Sequence, residues 1–172
     1  MKIVGISFLI VGVILFVALG VIAVVQSYHF DRNCGDYLKL AGDAPTIVRA
    51  NDFLKKAISY LEETGKTSGD SAVIFKKKPS NDIEIWYQQL VAAEKTTEEI
   101  LAKGDKAPQL EKDNALMKIR ETVLDQGQDV NVTHPAWISI YPDQVNFFGA
   151  LVASAVFIIL GSIFFVWAEM RY

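Results

Sequence analysis

Hydrophobic positions fall into three regimes along this chain. Residues 3–25 form an unbroken apolar run in which Ser7 is the only strongly polar side chain before Gln26, and residues 147–168 form a second such run. Between them apolar residues recur at helical spacing among many charged ones. At about 1.5 Å per residue the first run reaches roughly 34 Å, enough to cross the hydrocarbon of a bilayer. The pattern predicts an all-α membrane protein in which two transmembrane helices bracket one outer, water-exposed helical domain. The expected divisions are a first span over 1–27, an outer domain over 28–141, and a second span with a short tail over 142–172.

Within the outer domain the periodicity resolves into separate helices. Phe30, Cys34, Tyr37, Leu38 and Ala41 continue one stripe past the first span, predicting a stalk that ends at Gly42. Asp43 is the expected N-cap of the next helix, with Pro45 in its first turn; Ile47, Val48, Leu54, Ala57, Ile58 and Leu61 form its inner face, and Gly65 stops it. The stretch 66–79 is the one long loop, holding the apolar run Ala72-Val73-Ile74-Phe75 before Lys76-Lys77-Lys78. Ser80 or Asn81 is the expected cap of a third helix with Ile83, Trp86, Tyr87, Leu90, Ala93, Thr97 and Leu101 inside and Gly104 at its end. Pro108 opens a fourth, in which Leu116, Ile119 and Val123 form one seam and Leu110, Met117 and Leu124 an adjoining one, until Gly127. Residues 129–141 read as an extended return strap, and Pro142 and Asp143 start the last helix. Short connections force neighbouring helices antiparallel, so the parity predicts an up-down-up-down four-helix bundle, with a three-helix bundle on a flexible stalk as the alternative.

Small residues mark the spans. Gly5, Gly12, Gly20 and Ala23 project to nearly one face of the first, and the second carries Gly149, Ala150, Ala153, Ser154 and Gly161. Such positions let helix backbones approach closely where no hydrophobic force acts between helices. They suit packing of the spans on each other or on a partner's helices. Tyr28, His29, Trp137 and Tyr141 are the expected membrane-interface side chains.

Charge sets the orientation. The chain has 17 basic and 20 acidic residues, a net of −3, and the acidic excess lies in the middle, which argues against a nucleic-acid partner. Lys2 and Arg171 flank the spans at the outer termini, while Asp125, Asp129 and Asp143 dominate the approach to the second span; both termini are therefore expected in the cytoplasm and the middle domain outside it, in the periplasm of a bacterium. The first run is longer than a secretory h-region and no small-x-small pattern closes it, so it is expected to stay as a signal anchor. The lone Cys34 excludes an intrachain disulfide.

Catalytic patterns are missing from the sequence. It has no glycine-rich phosphate loop, no His-Glu-x-x-His, no paired-cysteine metal pattern and no Gly-x-Ser-x-Gly elbow, and no ionisable residue lies within either apolar run as a proton or ion relay would need. His29, Cys34 and His134 stand close to the span ends, but the i, i+5 spacing of the first two splays them on a helix, so interface, core and strap roles are expected and no metal or other cofactor is assigned. Asn131-Val132-Thr133 matches a glycosylation acceptor only for a eukaryotic secretory protein. The lysine triplet reads as a solvated guard beside an apolar run.

The arrangement is similar to the sensor half of bacterial chemoreceptors and sensor kinases, in which two spans bracket an outer four-helix bundle, although no motif is shared. Those receptors continue into a cytoplasmic signalling region, whereas four residues follow Ala168 here, so a signal is expected to pass through another chain. The expected function is a non-enzymatic accessory or scaffold subunit of a larger membrane assembly. Its expected partners are other membrane subunits or a second copy, together with lipid. The alternative is an outer ligand-sensing or binding module that signals through a partner.

Overall fold

A computed structural model describes residues 2–73, 78–125 and 131–170. Six α-helices account for most of them: α1 (Lys2–Phe30), α2 (Asp36–Gly42), α3 (Ile47–Glu63), α4 (Ile83–Lys103), α5 (Gln109–Val123) and α6 (Gln144–Glu169). No β-strand occurs among the described residues, only the isolated bridges Asp70 to Asp82 and Leu124 to Val132. The protein is all-helical, with two helices, one at either end of the chain, long and apolar enough to cross a membrane.

The predicted stalk is present. α1, a π-helical turn over Asp31–Gly35 and α2 form one continuous helix of 41 residues, Lys2–Gly42. Its stripe does what the spacing implies: Phe30, Cys34, Leu38 and Ala41 are buried. The π turn inserts extra backbone into the helix, and Asn33 meets the carbonyl of His29 there with its side-chain amide at 2.8 Å.

Helix α3 starts later than Asp43 suggests. Thr46 is the N-cap, its hydroxyl accepting from the Arg49 N–H at 3.4 Å, while the Asp43 N–H closes the end of α2 on the Lys39 carbonyl. Pro45 precedes the helix because the turn from α2 needs the non-helical residues 43–46. The α4 cap is Asp82 rather than Ser80 or Asn81, accepting from Ile85 N at 3.1 Å, since Pro79, Ser80 and Asn81 form a 3-10 turn of their own. Gly104 ends α4 at φ +56, a conformation glycine adopts without strain.

Side-chain pairings give the helix directions. Phe30 meets Tyr60 and Tyr37 meets Phe53 between the long N-terminal helix and α3. Asn51 pairs with Thr97, Lys55 with Glu98, and Glu62 with Tyr87 between α3 and α4. Lys103 pairs with Glu111 across the α4–α5 turn. From Phe30–Tyr60 to Tyr37–Phe53, and from Asn51–Thr97 to Glu62–Tyr87, rising numbers on one helix meet falling numbers on the next, so the N-terminal helix and α3, and α3 and α4, are antiparallel. α5 then meets α2 at the last turn of both, with Leu124 and Val123 against Gly42 and Arg120 3.7 Å from Asp43. The end of α5 is therefore level with the end of α2, the top of the stalk.

One core joins these elements. Leu38, Leu54, Leu61, Ile83, Leu90, Ile119 and Val123 are buried together, with Trp86 and Ile100 beside them. Expected inner residues that lie outside this core are Val48, Leu110 and Met117, which are exposed. Ala115 and Ile119 carry the inner face of α5 instead, because its contacts with both α2 and α4 turn the Leu110–Met117 edge to solvent. The helix closes at Val123, and Gly127 lies outside the described residues, as do Ile74, Phe75, Lys76, Lys77, Asp129 and Arg171.

The return strap is compact where an extended run was expected: residues 136–143 are a series of turns. Ile138 and Ile140 bury their side chains, and the turns are closed by the Tyr141 N–H on the Trp137 carbonyl at 3.2 Å and the Asp143 N–H on the Ile140 carbonyl at 3.0 Å. Lys66 holds this coil from outside.

Candidate functional site: the apolar helix pair and the groove above it

Helices α1 and α6 pack on each other, antiparallel. Lys2 Nζ meets Glu169 Oε1 at 2.9 Å at one end, and the Phe8 and Phe157 rings lie 5.5 Å apart farther along. Small residues set the closest approaches. A Cβ added to Gly161 would stand 2.8 Å from the Leu9 backbone nitrogen and 2.9 Å from the Gly5 carbonyl; one added to Gly12 would stand 2.8 Å from Ile158. Apart from Phe30 and Gln144, which are buried at the domain end, the buried positions are Gly5, Gly12 and Leu19 on α1 and Ser154, Gly161 and Ala168 on α6. Both sets advance by seven residues, the 3.5-residue period of a left-handed helix pair.

That period decides which predicted packing residues meet. Gly5, Gly12, Ser154 and Gly161 lie in the seam; Ala23 and Ala150 are half-buried at its edges. Gly20, Gly149 and Ala153 face outward, and added Cβ atoms at Gly20 and Gly149 would find nothing within 4 Å. At 100° per residue Gly20 lies about 80° around the helix from Gly12 and Leu19 only about 20°, so Leu19 takes the seam position. Ser154 spends its hydroxyl on the Leu151 carbonyl at 2.7 Å and leaves a smooth surface to the neighbour.

The rest of both helices is open. Only 11% of the most apolar stretch of each is buried, so neither is the core helix of the folded domain. Ile3, Ile14, Val24, Val152, Ile159 and Ile163 are among the large side chains left outside.

A collar closes the other end of the pair. Lys66 is buried, and its amine donates to the carbonyls of Ile138 at 2.8 Å, Ser139 at 3.3 Å and Tyr141. Burial pushes this amine below the ordinary lysine range, against the pull of Asp143. Gln144, the first residue of α6, donates to the Asp70 carbonyl at 3.0 Å, and Trp86 donates from its indole to Thr133 at 2.8 Å. The side-chain oxygens of Gln26 and Gln144 are buried without a protein partner. Tyr28 is exposed and accepts from Arg32 at 2.8 Å, which raises the guanidinium's affinity for its proton. His29 is exposed beside it, and Trp137, at φ +63, stacks edge-on against Phe148 at 4.8 Å. Tyr141 differs from the other expected interface residues: it is half-buried over Gly69 and packs on the core.

His29, Cys34 and His134 do not converge. His29 points to solvent, the Cys34 side chain is in the core, and the His134 ring packs on Phe30 at 5.3 Å. Burial raises the Cys34 thiol to about 12, which keeps it protonated and unsuited to metal. Among the described residues no three His, Cys, Asp or Glu side chains group to hold a metal ion.

Sequence reading missed a groove of about 420 Å³ between the π turn and α3, lined by Asn33, Tyr37, Lys55, Lys56, Ser59, Tyr60 and Glu63. The Lys56 amine lies 5.3 Å from the centre of the Tyr37 ring and 5.9 Å from that of Phe53. The i, i+4, i+7 spacing of Lys56, Tyr60 and Glu63 marks one helix face, but nothing in the sequence shows that a π turn faces it.

Comparison with protein-family models, with curated proteins and with solved structures finds no match to this chain.

Proposed function

We propose that the chain is a two-span membrane protein acting as a non-enzymatic accessory or scaffold subunit of a larger membrane assembly. Its apolar pair crosses the bilayer with both termini on the cytoplasmic side, and α2 to α5 form a four-helix bundle outside. The observation that carries the partner is the division of small residues into two sets. Gly5, Gly12, Ser154 and Gly161 are consumed by the α1–α6 seam, while Gly149 and Ala153, one turn apart on α6, stay open on its outer face beside large Val and Ile side chains. Another helix backbone fits at that notch, and lipid covers the bulkier surface around it.

Gentle-detergent purification tests this reading. A constant co-purifying membrane protein, or a stable homo-oligomer, is expected from the natural chain. It should be lost on Gly149→Leu with Ala153→Leu, which fill the notch without touching the seam. Migration of the natural chain as a lone monomer overturns the proposal.

A further inference from the structure

The groove between the π turn and α3 is lined by polar side chains and lies apart from the α1–α6 seam, although Tyr37 and Tyr60 also pack between helices there. Its ends carry opposite charges. Lys56 has two aromatic rings beneath its amine and, among the described residues, no carboxylate within 4 Å, whereas Lys55 is taken by Glu98 at 2.7 Å. Glu63 lies seven residues further along the same helix face and, among the described residues, has no cation within 4 Å. Two helical turns separate the two by about 10 Å. Between them stand Ser59, the Tyr60 and Tyr37 hydroxyls, and Asn33, whose amide nitrogen is committed to His29 and whose oxygen is left to accept.

We infer that this groove binds a short peptide of about three residues with free termini, its carboxylate at Lys56 and its ammonium at Glu63. An extended chain advances about 3.3–3.6 Å per residue, so three residues span the distance between the two charges. A single amino acid carries its charges too close together to reach both ends. The hydroxyls and the Asn33 oxygen then meet peptide N–H and C=O groups without demanding particular side chains, and the open groove leaves room for any small ones. The inference is independent of the outward notch on α6: a partner can be lost with peptide binding intact, and the reverse.

The test uses the full chain in nanodiscs and trialanine, N-acetyl-trialanine and trialanine amide, followed by ligand-observed NMR titration. Trialanine is expected to bind with a dissociation constant on the order of 1 mM. Each blocked form should bind about fivefold more weakly, the worth of one exposed ion pair. In Lys56→Met the free peptide and its amide should bind alike; in Glu63→Gln the free and acetylated peptides should. Both side chains are exposed, and an unchanged urea transition confirms that each variant folds. Absence of trialanine binding at 10-fold the expected constant, or equal binding of all three forms to the natural chain, overturns the inference.

Discussion

In the α1–α6 pair the closest approaches are made at small residues, Gly5, Gly12 and Gly161, with Ser154 buried beside them, and most of the large side chains point away. In the domain above it the relation is reversed: Leu38, Leu54, Leu61, Ile83 and Leu90 are inside, and Lys, Glu and Asp cover the surface. One chain therefore follows two packing rules, and the switch falls where Phe30 becomes fully buried at the end of α1. Water explains the second rule, because apolar area removed from it stabilises the fold. The first rule suits a medium as apolar as leucine, where close backbone contact is what remains to hold helices together.

The most severe way to break this contrast is to put bulk into the small-residue seam. Gly161→Leu drives a side chain against the backbone of α1 and should reduce bifunctional-maleimide crosslinking between Phe8→Cys and Phe157→Cys about tenfold, in a Cys34→Ala background. Gly20→Leu should leave the crosslink unchanged. Equal yields in both would show that close approach does not hold the pair.

In the helical domain the opposite change is the damaging one. Leu54→Ala removes a fully buried side chain and should cost about 3 kcal/mol in urea unfolding followed by tryptophan fluorescence. The same truncation at exposed Ile14 should leave that transition in place.

The collar connects the two regimes. Lys66→Met keeps the stem but leaves three carbonyls without their donor, and should cost about 2 kcal/mol. Trp137 emission should change with it, since the strap would loosen over α6.

Cys34 reports on the seal of the core at the junction. Burial raises its thiol to about 12 in the folded protein from an ordinary value of 9.0, so the unfolded chain ionises first as pH rises. Stability from this group is complete below pH 9 and declines toward pH 12, by about 1.4 kcal/mol between pH 8 and pH 10. Cys34→Ala should flatten that slope, and folded protein should resist maleimide at pH 8 until urea is added. The smallest effect belongs to Lys2–Glu169: the pair is exposed, and Lys2→Gln should change crosslinking and stability by less than about 0.5 kcal/mol.

Element type and the main inner faces were legible in the sequence because each is a local property. The stripe from Phe30 to Ala41 and the face from Ile47 to Leu61 follow from spacing alone, as do stops at Gly65 and Gly104 that need only a positive φ. Caps were less legible, since Thr46 and Asp82 compete with Asp43, Ser80 and Asn81, and the winner depends on how many residues the preceding turn consumes. Gly5 and Gly161 could be proposed as packing residues from their type. Their pairing, and the exclusion of Gly20, Gly149 and Ala153, depended on which face each of two helices, far apart in sequence, turns toward the other. The groove lay beyond reach for the same kind of reason, because the π turn arises from how α2 seats against α3.

Composition and periodicity by themselves determined that two apolar helices flank a helical, slightly acidic middle, because hydrophobic spacing is written residue by residue. Only the tertiary structure decided that the seam advances by sevens, that α5 ends level with the stalk's top, and that Lys66 fastens the strap. Those outcomes are set by contacts between distant segments, whose geometry no local pattern contains.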